Sequence, residues 1–192
     1  GFDGNDAFFN DCGTDKVYAI AVDENFGFHA TKQQFSSTEN QVSVTDFDAI
    51  FMRLPRPISE EFLDFIADLG KDKVIINHPK GITKTSTKAF LLNFPSVCPD
   101  MKLCHSIEDI LAFANQFPIV LKPLKEYGGK GLLKINDDKL DDGESNFDTV
   151  TYLRKQKSYI ETEGYLAMKF LKNVSEGDKR IIVVNGQILA SS

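Results

Sequence analysis

In the stretch Pro118–Ile135, PIVLKPLKEYGGKGLLKI, an apolar run carries a single lysine, Lys122, and ends on Pro123. A charged loop with Gly128, Gly129 and Gly131 follows, and then a second apolar run. A plain hairpin turn needs fewer glycines and no lysine stem within a strand. A phosphate site uses both: glycines let backbone N–H groups approach the oxygens, and lysines supply charge. The loop does not fit the P-loop pattern, because Lys130 is followed by Gly131 rather than Ser or Thr. It does not fit the dinucleotide fingerprint either, since a strand and not a helix follows the glycines. What remains is a strand, a glycine loop and a strand, which describes a flap over phosphates or a surface hairpin with solvated lysines.

Other basic residues surround this flap. Lys88 lies on a segment before it, and Gly177–Arg180, GDKR, follows the apolar stretch Tyr165–Leu171. The chain as a whole is acidic, with a net charge of −6. Basic residues grouped around a glycine flap in such a chain suit a polyphosphate ligand. The same net charge argues against nucleic acid or an anionic membrane surface as the main partner, since both are bound through basic faces. No apolar run approaches the roughly 20 residues of a membrane span. The first residues, GFDGNDAFFNDCGTDK, carry acids where a secretory signal would be basic. Three cysteines without CxxC spacing fit a reducing compartment, and the three histidines lack metal-ligand spacing.

The elements that must position these residues read as follows. Lys16–Val22 alternates as a strand, with a hairpin return at Phe28–Thr31, and Gln33–Asp46 reads as loop. Phe47–Leu54 has the continuous apolar character of a strand buried on both faces. Ser59 caps a helix whose apolar residues Phe62, Leu63, Phe65, Ile66 and Leu69 share one face, with Gly70 at its end. A strand, Lys73–His78, completes a βαβ unit with parallel pairing. Ile82–Phe94 reads as a single helix, and Met101–His105 as a strand. Ser106 caps the next helix, with Asp109 in a capping-box position. After the glycine flap, Asp137–Ser145 reads as an acidic mobile connection and Asn146–Lys157 as a helix. Tyr165–Leu171 is a strand, and a hairpin turned at Asn185–Gly186 ends the chain. With 192 residues and 42% hydrophobic composition, the chain has enough apolar material for two small domains. The change of pattern places them at 1–95 and 96–192.

The order of Lys88 in STKAFLLNF, then VLKPLKEYGGKG, then AMKFLKNVSEGDKRIIVVNG resembles the bacterial glutathione synthetases of the ATP-grasp superfamily. The likeness runs from about Val17 onward and includes DAIFMRLPRPISEEFLDFI. It implies an α/β fold: a partial pre-ATP-grasp βαβ domain, then the lid half of an ATP-grasp domain with an antiparallel sheet. It also implies an ATP-dependent carboxylate–amine ligase. In such enzymes the γ-phosphate moves onto a carboxylate, an amine attacks the acyl phosphate, and amide, ADP and phosphate result.

Carried over by motif, Lys88 and Lys122 contact ATP phosphates, Gly128, Gly129 and Gly131 form the lid, and Lys169, Phe170 and Leu171 present hinge backbone to adenine. Asp178 matches a nucleotide-binding position, and Arg180 joins Lys122 in the catalytic role. Arg53 is retained from the substrate-side loop, the family's acid in that loop is gone, and Arg56 is a new cation. Glu126 stands where the family has its first lid glycine. The resemblance implies small-molecule substrates, a cytoplasmic enzyme and magnesium. The metal's ligands are expected beyond Ser192, so the chain reads as the middle of a longer enzyme that is inactive by itself. The acceptor stays open, as do a homo-oligomer, a silent ATP-binding module and a phosphotransferase or ATPase with a similar lid.

Overall fold

The computed structural model describes residues 16–18, 24, 41–53, 58–126 and 128–192. The chain divides into two compact units, residues 1–86 and 87–192, ahead of the boundary expected at 95/96. The remainder of the first expected strand, its hairpin return and Arg56 lie outside the described residues.

In the first unit, β1 (Lys16–Tyr18) pairs antiparallel with β2 (Gln41–Ser43). The second of these falls in the segment expected to be loop. β3 (Ala49–Phe51) and β4 (Val74–Ile76) pair in parallel, joined through helix α1 (Glu60–Leu69), as a βαβ unit requires. The expectation that β3 is buried on both faces is not met: Phe51 is 62% exposed and Ala49 is exposed too. The apolar run instead delivers Met52, just past the strand, to a small core with Leu63 and Ile66.

Helix α1 starts where the Ser59 hydroxyl accepts the Phe62 N–H at 3.2 Å, with Glu60 and Glu61 favourably placed in its first turn. It stops at Gly70, whose backbone is not left-handed (φ −94°). The glycine is there for space, since a Cβ would lie 2.3 Å from Ile75 Cδ1. Helix α2 (Pro79–Thr85) is shorter than the periodicity predicts. The Thr83 and Thr85 hydroxyls donate to the Pro79 and Gly81 carbonyls, and the Ser86 hydroxyl donates to Thr83. Such local bonds compete with helix propagation. The expected helix breaks at Ser86–Thr87 and continues as a separate 3-10 helix, Lys88–Asn93.

The second unit is built on a six-stranded, wholly antiparallel sheet in the order β5-β10-β6-β7-β8-β9. Its strands are β5 (Met101–Cys104), β6 (Ile119–Pro123), β7 (Leu133–Asn136), β8 (Lys139–Asp141), β9 (Asn146–Asp148) and β10 (Tyr165–Lys169). Helices α3 (Ile107–Ala114), α4 (Thr149–Lys155) and α5 (Lys157–Thr162) supply the other half of its core.

Strand alternation decides the two faces. Ile119, Leu121, Leu133, Ile135, Leu140 and Ala167 are buried together with Ile110, Leu153 and Ile160 from the helices. Each such aliphatic side chain contributes on the order of 1.5–3 kcal/mol by burial. The alternate residues Val120, Lys122 and Lys134 therefore point to the opposite face. The acidic segment expected to be mobile is β8 and its turn, because Leu140 enters this core fully buried. A last hairpin, β11 (Ile181–Val184) and β12 (Gln187–Ser191), turns at Asn185 (φ 48°) and Gly186 (φ 76°), the geometry expected of Asn-Gly.

Candidate functional site

On the face opposite the helices lies a cleft of about 460 Å³. Lys122 of β6, Lys134 of β7 and Met168 and Lys169 of β10 form its floor, with Gly129 of the lid loop and Phe170–Leu171 at its edges. The register explains the grouping. Val120 lies opposite both Met168 and Lys134, and Lys134 lies opposite Asp141, so all four share one face. Lys122 sits one pleat further along β6, half-buried and opposite Leu166.

The loop above is shaped by backbone that only glycine adopts freely. Gly128, Gly129 and Gly131 have φ of +66°, +77° and +67°. A Cβ on Gly131 would also meet Pro123 Cγ at 3.0 Å, so the loop folds closely over the end of β6. Lys88 ties down the same place. Its Nζ donates to the carbonyls of Pro123, at 2.7 Å, and of Glu126, and its N–H donates to Leu124. Burial pushes its pKa below the ordinary lysine value, the Lys122 ammonium adds to that, and Glu126 opposes it. Two ammonium groups near enough to repel one another favour an anion between or beside them.

The hinge is more selective than its sequence suggests. The Lys169 N–H donates to Asp100 O at 2.9 Å and the Phe170 N–H to Pro118 O at 2.8 Å. Both serve the sheet. The Leu171 N–H has no acceptor among the described residues, and Leu171 lines the cleft, 47% exposed. One of the three hinge residues thus offers a backbone donor. The Lys169 ammonium is drawn aside to Asp100 (3.2 Å) and over the Phe117 ring (4.7 Å). Lys134 stands over the Phe170 ring, 4.1 Å from its centroid, where the ring's negative face attracts it.

A largely apolar cleft with lysines on its floor, a glycine flap and Leu171 at its edge has the parts of a nucleotide site. A flat base can lie against the apolar wall and phosphates against the lysines and lid. A profile of the prokaryotic glutathione synthetase ATP-grasp domain matches residues 87–192, which is more than half of the chain. The chain belongs to this family. It is 32% identical over 154 residues to the glutathione synthetase of Synechococcus elongatus, covering 78% of this chain and 45% of that protein. It is 29% identical over 161 residues to the glutathione synthetase of Vibrio cholerae (80% and 47%). With that of Buchnera aphidicola the identity is 31% over 158 residues (78% and 46%). The chain thus spans about half the length of the curated relatives it matches. The recognised ATP-grasp resemblance and the mixed α/β fold with its antiparallel sheet are both upheld.

Against this family background, the structure brings Lys122, Gly129, Lys169, Phe170 and Leu171 to one cleft, with Lys88 bound to the base of the lid. Gly128 and Gly131 shape the lid without lining the cleft. Asp178 and Arg180 are exposed and do not line it; the Arg180 backbone closes the last hairpin by pairing with Ser192. Arg53 belongs to the first unit and Arg56 lies outside the described residues.

Sequence reasoning did not pick out Lys134, Asp141, Asp142 and Gly143, all of which line the cleft. The alternation in LLKIN carried a signal for Lys134, whereas the acids were hidden by reading β8 as a loop. Their turn is ordered: Asp142 Oδ1 accepts the Glu144 and Ser145 N–H groups, which holds its carboxyl below the usual range, and Asp141 accepts Gly143 N–H.

For the cofactors, the lysines, lid glycines and hinge donor fit ATP. Magnesium is different: among the described residues no three His, Cys, Asp or Glu side chains converge to hold a metal ion. Among the same residues, no helix is long and apolar enough to cross a membrane.

Proposed function

We propose that this chain carries the nucleotide lid and hinge of an ATP-dependent carboxylate–amine ligase of the glutathione synthetase type, with the division between a substrate-side domain and an ATP-grasp domain that this implies. The observation that carries the reading is the convergence of Lys122, Gly129 and Leu171 on one cleft, in a chain whose second unit matches that family.

ATP, when bound, supplies the phosphoryl group that makes a carboxylate a usable acyl donor. The chain's own residues bind and orient. Lys122 and Lys88 offset phosphate charge, and the positive-φ glycines turn backbone N–H groups toward the oxygens. Leu171 N–H donates to a ring nitrogen of the base, and Lys134 with Phe170 forms the wall against which it lies. Closure of the lid excludes water from the reacting centre and so protects an acyl phosphate from hydrolysis. Arg180 and Asp178, which lie outside this cleft just before the last hairpin, are assigned to the nucleotide by the family motif alone. The substrates are a small carboxylate donor and a small amine, and the compartment is the cytoplasm.

The test uses the full-length polypeptide. Phosphate release from ATP is expected to require both γ-glutamylcysteine and glycine. Release without any amine would instead indicate a kinase or ATPase. Tight ATP binding without turnover across a panel of amino acids would indicate a silent binding module.

A further inference from the structure

Lys134 and Asp141 stand directly opposite one another across β7 and β8, and both line the cleft of the second unit. Opposite charges at facing strand positions attract and ordinarily pair. Here they do not, and Lys134 takes part in none of the ion pairs among the described residues. The Asp141 carboxylate is turned into its own loop, where Oδ1 accepts the Gly143 N–H at 2.8 Å. The Lys134 ammonium lies instead on Phe170, 4.1 Å from the centre of the ring. Lys169, which precedes Phe170, is drawn away to Asp100 and to the Phe117 ring, and so leaves the Phe170 ring to Lys134.

The place of Lys134 in the sheet separates it from the lid. Register sets it beside Val120, two residues before Lys122 on β6, which is about 7 Å along an extended strand. Lys122 adjoins Pro123, where the lid loop begins. Phe170 lies at the other end of β6, its N–H bonded to Pro118 O. A lysine beside the lid suits phosphate oxygens, whereas a lysine already lying on an aromatic face suits a flat π system. A cation held on one ring is attracted also by the face of a second ring that closes over it. The side chains of Leu171 and Val174, both more than 45% exposed, line the same cleft and give such a ring an apolar surround. A purine has two fused rings to lay over the ammonium and its apolar neighbours; a pyrimidine has one.

We propose that Lys134, held on Phe170, makes this cleft selective for purine over pyrimidine bases. The ammonium meets the base on the side away from Phe170, so that base, cation and ring form one stack. Lys134 is thus a base-reading residue, distinct from Lys122, which answers the phosphates. That the bound base belongs to ATP rests on the proposed function; the preference for a purine is a property of Lys134 and Phe170.

The experiment is an NMR titration of the 192-residue chain with adenosine and with uridine, which carry no phosphate, and then with ATP. Adenosine is expected to bind more tightly than uridine. Lys134→Met keeps the stem and removes the charge. It is expected to weaken adenosine by about three- to fivefold, the worth of an exposed cation–π contact, and uridine by less. Phe170→Leu should lose the same preference, and adding Lys134→Met to it should cost adenosine little more, because the two side chains act as one unit. Equal weakening of both nucleosides in Lys134→Met, unchanged affinity for adenosine in that variant, or no preference in the wild type would overturn the inference. The ATP titration separates the two readings. ATP bound no more tightly than adenosine counts against the proposed function alone. ATP bound tightly by a chain that treats adenosine and uridine alike counts against this inference alone.

Discussion

Lys88 Nζ donates a 2.7 Å hydrogen bond to the carbonyl of Pro123, the residue at which β6 gives way to the glycine loop. A side chain 35 positions earlier in the chain thus anchors the hinge of the lid. Its positive charge also stands beside that of Lys122.

Replacing Lys88 by methionine keeps the stem but removes the charge and the tether. ATP affinity is expected to fall by about tenfold or more, measured by calorimetric titration, as for loss of a charge-assisted hydrogen bond. Lys122→Ala is expected to lose more, since Lys122 lines the cleft itself. Unchanged affinity in Lys122→Ala would remove the nucleotide assignment.

The lowered pKa of Lys88 has a signed consequence for stability. Its folded-state pKa lies below the ordinary 10.5, so the unfolded chain holds the proton to higher pH. Stability then rises with pH across the window just below 10.5, as the penalty for burying the charge is relieved. Thermal unfolding of wild type and Lys88→Met over that window should show the rise in the wild type and its loss in the variant.

At Leu171 the backbone and the side chain can be tested apart. Its φ of −86° is close to what proline accepts, so Leu171→Pro removes the N–H with little backbone distortion. ATP affinity is expected to drop by roughly five- to tenfold in Leu171→Pro, the worth of one hydrogen bond of about 1 kcal/mol. Leu171→Ala keeps the donor and should lose less. Equal losses would show that the N–H plays no part.

Helix α3 depends on its first turn. Ser106 Oγ accepts the Asp109 N–H at 3.1 Å, and the Asp109 carboxylate takes both the Ser106 hydroxyl (3.0 Å) and Lys102 Nζ (2.6 Å). Ser106→Ala is expected to cost about 1 kcal/mol, a fall of about 2–4 °C in Tm. The hydrogen bond from Lys102 is the main reason the Asp109 pKa lies below its ordinary 3.8. Its contribution is therefore present above that value and lost as pH falls through the folded-state pKa. Acid unfolding of Asp109→Asn should be correspondingly less steep.

Burial pushes the Cys104 thiol up to about 11, and the side chain has no exposed surface. Alkylation with iodoacetamide near neutral pH, read by peptide mass spectrometry, should label the partly exposed Cys98 well before Cys104. Equal rates would mean that the β5 edge of the sheet opens readily.

Local chemistry was legible wherever neighbours in sequence determine the outcome. Ser59 and Ser106 cap the helices expected of them, and Asn185–Gly186 turns the hairpin. Misreadings arose where a local pattern had two outcomes. The acids around Lys139–Asp141 suggested a solvated loop, yet one residue, Leu140, finds the core and makes the segment a strand. The run Ile82–Phe94 carries helical periodicity, but its threonine and serine hydroxyls bond backward and break it. The polar segment before Val44 gave no hint that Gln41–Ser43 pairs with Lys16–Tyr18.

By itself the sequence determined that a lysine at the end of a buried strand precedes a loop of glycines, because side-chain size and backbone freedom are properties of single residues. It also determined which family the order of motifs belongs to. Only the tertiary structure decided what faces Lys122. Burial of Ile119, Ile135 and Leu140 against the helices sets the register of three strands, and that register carries Val120, Lys134 and Asp141 to the other face. It also occupied the Lys169 and Phe170 N–H groups with sheet carbonyls and left Leu171's at the cleft. Strand register is set by contacts between distant residues, so a one-residue slip would have emptied the site without altering a letter of the sequence.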